Sequence, residues 1–295
     1  MALSPMRIGI DSYSYHRLLG EIRPGEDDPG ERLTGSFELI AEMLASGAEI
    51  LSLETVFLAP PGQLDAAAVR RAGGDTELAI AWGHPLGLEW GRRPDKLEEL
   101  ISWIALAPVL GARLVRCVAA GPALANEPRP ERLDAVVRAL QVAVRRAEEV
   151  GITLALENHA DVDAGELTAI LGAVPGLTVC LDTANALRVG DDPVTLAGAV
   201  RERVSMVHLK DVVAPSADDG PSGPRSVPFG DGIVDLDGVL TALRPHVHDL
   251  PVCVELGQLG AGDVDERALV REGVAWLKRR RARSTQDDVG PEQSR

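Results

Sequence analysis

Eight short apolar runs recur along the chain, with mostly helix-like segments between them, and this alternation constrains the fold more than any other feature. The runs are MRIGI (6–10), EILSLE (49–54), ELAIAW (77–82), ARLVRCV (112–118), ITLALE (152–157), GLTVCLD (176–182), VSMVHLK (204–210) and PVCVEL (251–256). The clearest intervening helix spans 130–150. There Leu133, Val136, Val137, Leu140 and Val144 share one face, and Gly151 supplies the stop. Further helices are expected from Ser36 to Ala45 and near Glu166 to Ala173. Strands alternating with helices predict a parallel sheet. Eight such units in 295 residues fit a closed α/β structure, the (β/α)8 TIM barrel, better than an open doubly wound sheet. No G-x-G-x-x-G follows the first run, which disfavours a dinucleotide site.

One barrel domain is expected over residues 1–281, with a polar, aperiodic tail at 282–295 expected to be disordered. The basic run KRRRAR before it reads as a solvated helix end. Residues 214–231, APSADDGPSGPRSVPFGD, read as a long loop, and such loops in compact domains are usually functional or disordered.

The run LALENHAD (154–161) drives an apolar strand into a carboxylate, an amide and an imidazole. The three later runs end in the same way. Glu157, Asp182, His208 and Glu255 lie at the ends of the fifth to eighth strands. Side chains two apart on a strand share a face. Ala155, Cys180, Met206 and Cys253 therefore lie beneath those four as an apolar floor, and Leu156, Leu181, Val207 and Val254 point toward the helices. Like-signed carboxylates this close raise each other's pKa, and a divalent cation removes the conflict. Oxygen-rich ligation with one His suits Mg2+ or Mn2+, with Co2+, Fe2+ and Zn2+ as alternatives.

Charge narrows the partners. The formal net charge of -15 repels phosphodiester backbones, so nucleic acid is not expected as a partner. No apolar run reaches the roughly 20 residues of a membrane-spanning helix, and the opening MALSPMRIGID lacks a long apolar leader. The three Cys residues sit in apolar runs and read as reduced, buried thiols of a cytoplasmic protein. A homo-oligomer is compatible with the sequence.

The succession ALENH, CLDTAN, VHLKD, VPFGDGIVD and CVELG resembles the sugar phosphate isomerase/epimerase family, the xylose isomerase-like TIM barrels. The resemblance extends from about Met6 to Lys278. It implies one divalent metal held by Glu157, Asp182, His208 and Glu255. It also implies acid/base catalysis by Glu157 and Glu255 on a sugar or polyol. Ketose 3-epimerases of the group carry a substrate-binding His where this chain has Asn185, whereas His159 in ENH resembles the dehydratase and lyase branches.

The expected reaction is proton transfer next to a sugar carbonyl through an enediolate. The alternative is β-elimination by a lyase or dehydratase acting on a keto-inositol or 3-keto-glycoside. His159, Asn185, Lys210, Arg225 and His84 are the expected substrate-binding residues. Asp11 and Glu54 end the first two strands and suit either substrate contact or helix capping; Trp90 could wall a sugar ring, and Trp82 suits the core better. No phosphate-cradling glycine motif is present, which favours a non-phosphorylated substrate.

Overall fold

The computed structural model describes residues 6–120, 129–159, 161–214, 224–244, 249–262 and 264–287. Eight parallel strands close into a barrel: β1 (Arg7–Asp11), β2 (Ile50–Glu54), β3 (Glu77–Ala81), β4 (Ala112–Cys117), β5 (Thr153–Glu157), β6 (Thr178–Asp182), β7 (Val204–Leu209) and the last, β10 (Pro251–Val254). β1 closes the ring by pairing with both β2 and β10. The expected (β/α)8 barrel is the observed fold, and all eight sequence runs are its strands.

Helices α1 (Ser36–Ala45), α2 (Ala66–Gly73), α3 (Pro94–Leu110), α4 (Arg129–Glu149) and α5 (Ala164–Ala173) fill the first five crossovers. α6 (Thr183–Arg188) and α7 (Pro193–Val200) share the sixth, α8 (Leu236–Ala242) serves the seventh, and α9 (Glu266–Asp287) follows the last strand. Gly151 follows α4 at φ 72, the left-handed value that glycine adopts without a side-chain clash.

Alternation along each strand separates two apolar layers. Leu156, Leu181, Val207 and Val254 join the large core between strands and helices. Ala79, Leu114, Ala155, Cys180, Met206 and Cys253 form a separate cluster inside the barrel, the floor expected from parity. Bare backbone at Gly9 completes it, since a Cβ there would collide with Cys253 Sγ.

Two segments depart from expectation. Beside and within the loop expected at 214–231, β8 (Val212–Val213) and β9 (Arg225–Ser226) pair as an antiparallel ribbon. The buried Asp211 carboxylate fastens this ribbon, accepting hydrogen bonds from the backbone N–H of Val212, Gly230, Gly232 and Val234. Residues 215–223 lie outside the described residues. The expected tail at 282–295 begins as helix, because α9 continues through Asp287; residues 288–295 lie outside the described residues.

Candidate metal centre

Glu157 and Asp182 end β5 and β6, His208 lies one residue before the end of β7, and Glu255 directly follows β10. All four are buried, and one ligand-capable atom from each lies within 4.8 Å of the others. They stand at the C-terminal mouth, above the apolar floor, where barrels of this type carry their sites.

Neighbouring groups fix their aim. Asp182 caps α6: Oδ1 accepts hydrogen bonds from the Ala184 and Asn185 N–H groups at 2.9 and 2.8 Å, leaving Oδ2 for the mouth. The Asn158 side chain stitches β5 to β6 by donating to the Asp182 carbonyl and accepting from the Asp182 N–H, at 2.8 and 2.7 Å. Thr183 does the same for Lys210, accepting from its N–H and donating to its carbonyl.

Both oxygens of Glu157 are held. Asn185 Nδ2 donates to Oε1 at 3.0 Å, and Arg116 Nε lies 3.1 Å from Oε2. Arg116 also pairs with Glu54. Burial works against the Arg116 charge, but Glu54 and Glu157 overcome it and hold the pKa well above its ordinary value. Glu255 contacts His208 Nδ1 and lies 2.9 Å from Lys210 Nζ, which is also 2.6 Å from Asp182 Oδ2. Burial alone would raise the Glu255 carboxyl; His208 and Lys210 instead hold it well below the usual range. Lys210 moves upward, because Asp182 and Glu255 outweigh its burial. Beneath the ring, burial pushes the Cys180 thiol up to about 11, so the floor stays neutral. Asp11 Oδ2 lies 3.5 Å from His208 Nε2, while Oδ1 accepts from the Tyr13 N–H, so Asp11 both supports the ring and caps a turn.

The four residues fit a divalent cation. Asp182 Oδ2, Glu255 Oε2 and both His208 ring nitrogens are buried yet make no hydrogen bond of good geometry. Their contacts are ion pairs within the ring and with Lys210, which a bound cation would take over. Three carboxylates with one imidazole form a predominantly hard donor set.

A cavity of about 360 Å³ opens above the ring. His84, His159, Asn185 and Lys210, the residues assigned to substrate from the sequence, line it. Arg225 does not: it lies against Gly260, and its neighbour Ser226 faces the cavity instead. Adjacent residues on a strand point to opposite faces, so only one of this pair can face inward. His84 stacks on Trp82 with ring centroids 5.9 Å apart, and burial, aided by Lys96, lowers its pKa. His159 Nδ1 lies 3.4 Å from Asp161 Oδ1.

Trp82 and Trp90 are fully buried. Trp82 Nε1 donates to Glu99 at 3.1 Å, and Trp90 packs beneath the Arg132 guanidinium. The aromatic wall is Tyr13, stacked on His16 with centroids 4.9 Å apart.

Sequence reasoning missed Arg116, Arg188, Arg23 and Tyr13, all of which line the cavity. Arg116 did carry a signal. In ARLVRCV it stands two residues after Leu114, an inward-facing floor residue, so a cation occupies an inward position of an otherwise apolar strand.

A family model described as a xylose isomerase-like TIM barrel matches residues 37–280. No curated protein matches the chain. Among solved structures, an L-ribulose 3-epimerase superposes with a TM-score of 0.72 at 18% identity, covering 98% of this chain and 100% of its own. The probable 3-DHS dehydratase AsbF from Bacillus anthracis gives 0.66 at 17% identity, covering 92% and 99%. The IOLI protein with a bound zinc atom gives 0.66 at 16% identity, covering 95% and 97%. At these identities the likeness concerns the fold.

Proposed function

Because the chain belongs to the xylose isomerase-like TIM barrel family, we propose that it is a divalent-metal-dependent isomerase or epimerase of a small sugar or keto-sugar. The observation that carries this reading is the convergence of Glu157, Asp182, His208 and Glu255 on one point at the barrel mouth. A bound Mn2+ or Mg2+ supplies positive charge that polarises a substrate carbonyl and offsets the charge of an enediolate.

The protein supplies the rest. Glu157 takes the proton from the carbon next to the carbonyl, and the C–H electron pair becomes the carbon–carbon double bond of the enediolate. Asn185 and Arg116 keep that carboxylate in one orientation. Glu255, ionised at rest, takes a proton from solvent through the open mouth and passes it to the opposite face of the same carbon for epimerisation or to the neighbouring carbon for isomerisation. Each such proton transfer contributes roughly 10²- to 10⁴-fold. Lys210 and His159 hold substrate oxygens.

The surface charge of -15 supports a small-molecule substrate over a nucleic acid. No helix of the described residues is long and apolar enough to cross a membrane. Three free, buried cysteines support a reducing, cytoplasmic setting.

The deciding experiment incubates the Mn2+-loaded protein with a panel of keto-sugars in D2O and follows the products by NMR and mass spectrometry. Deuterium on carbon in a product isomeric with the substrate is expected. Loss of water or of a glycoside to give an unsaturated product would move the assignment to a lyase. Absence of carbon-bound deuterium and of any new product across the panel would sink the reading.

A further inference from the structure

Arg188 and Arg23 both line the cavity above the ring, and they are not placed alike. Arg23 packs over the Tyr13 ring, 4.8 Å from its centroid, and lies 3.9 Å from Glu21. Arg188 makes no hydrogen bond or ion pair among the described residues. The other cations of the mouth are engaged, Arg116 with Glu54 and Glu157, and Lys210 with Asp182 and Glu255. Arg188 also follows Asn185 by three residues on α6, so the two share a helix face about 4.5 Å apart along the axis. Asn185 touches the Glu157 carboxylate at the bottom of the mouth, and Arg188 stands one step above it. Desolvation lowers the Arg188 pKa; Asp182 works against that shift and Arg23 works with it. An anion between the two arginines relieves their mutual repulsion.

Resting on the proposed function, we infer that the substrate is a sugar acid whose carboxylate is bound by Arg188, with Arg23 also on the cavity wall. The planar guanidinium fork matches a carboxylate in two parallel hydrogen bonds. A phosphate is disfavoured by the lack of a glycine-rich backbone cradle.

The test uses two matched sets that differ only at carbon 6. D-Fructose is compared with D-fructuronate and D-fructose 6-phosphate, and D-tagatose with D-tagaturonate. Binding to Mn2+-loaded protein is measured by calorimetry, with deuterium wash-in followed in parallel. In at least one set the uronate should bind about tenfold or more tightly than the parent sugar. In Arg188→Met that ratio should collapse at least about tenfold, with partial recovery in Arg188→Lys. Equal binding of acid and parent in both sets, absence of binding included, overturns the inference. So does a stronger preference for the phosphate, or a ratio unchanged in Arg188→Met. A uronate bound through Arg188 without gaining deuterium leaves carboxylate recognition standing and counts against the isomerase chemistry alone.

Discussion

The Lys210 ammonium lies 2.6 Å from Asp182 Oδ2, against a carboxylate assigned to the metal. It also reaches Glu255 at 2.9 Å, so one side chain touches two of the four ligands. A cation entering the ring meets this charge at close range. Lys210→Met should therefore tighten Mn2+ binding by about tenfold, as removal of a like charge a few ångströms away implies. Calorimetric titration of the metal reads this directly; affinity that is unchanged or weaker would show that Lys210 does not compete.

Glu255→Gln keeps size and hydrogen-bonding capacity but cannot deliver a proton at neutral pH. Turnover should fall by at least roughly 10²-fold while the circular dichroism spectrum stays native. Near-normal turnover would remove Glu255 from the chemistry.

Arg116 is 4% exposed and lies between Glu54 and Glu157. Removing one member of a buried ionic cluster leaves the others uncompensated, at a cost of about 3–5 kcal/mol. Arg116→Met should lower the denaturant midpoint accordingly. Adding Glu54→Gln should recover part of the loss, and a double variant less stable than the single one would refute the pairing as the cause.

Glu26 ties the segment after β1 to the one after β10. Its carboxylate accepts from the Arg23 N–H at 2.8 Å and the Leu259 N–H at 2.7 Å, and lies 3.0 Å from His16 Nε2. Burial would raise its pKa, but the hydrogen bond from His16 and those from the two backbone groups win, and it sits below 4.5. The unfolded chain thus binds this proton first as pH falls. The stabilisation is fully present above the ordinary value and is lost as pH drops through the lowered one. Glu26→Gln should flatten the decline of stability below pH 4.5, measured by unfolding at successive pH values. A decline as steep as that of the parent protein would assign it to other carboxylates.

The four ligand candidates were legible because strand parity and strand ends are local properties. Ala155, Cys180, Met206 and Cys253 beneath them fixed which face was inward before any contact was known. Arg116 obeys the same rule through Leu114 and could have been found by it. Arg225 could not be placed in this way. Its facing depends on the ribbon register, Val213 opposite Arg225 and Val212 opposite Ser226, and that pairing bridges residues far apart in sequence. Arg188 was hidden for another reason. Only the seating of α6 on the barrel turns it toward the mouth, and six residues are too few for periodicity to report a face. The extension of α9 through Asp287 was obscured by its polar composition, since a helix end without an apolar stripe gives periodicity nothing to report.

The double tether on Glu157 has a mechanical corollary. With an Asn185 hydrogen bond on one oxygen and the Arg116 ion pair on the other, turning the carboxylate plane gives up one contact or both. Every visiting molecule meets the same lone pairs in the same attitude. Rim positions such as His84 and Ser226 line the same cavity and take no part in this tether.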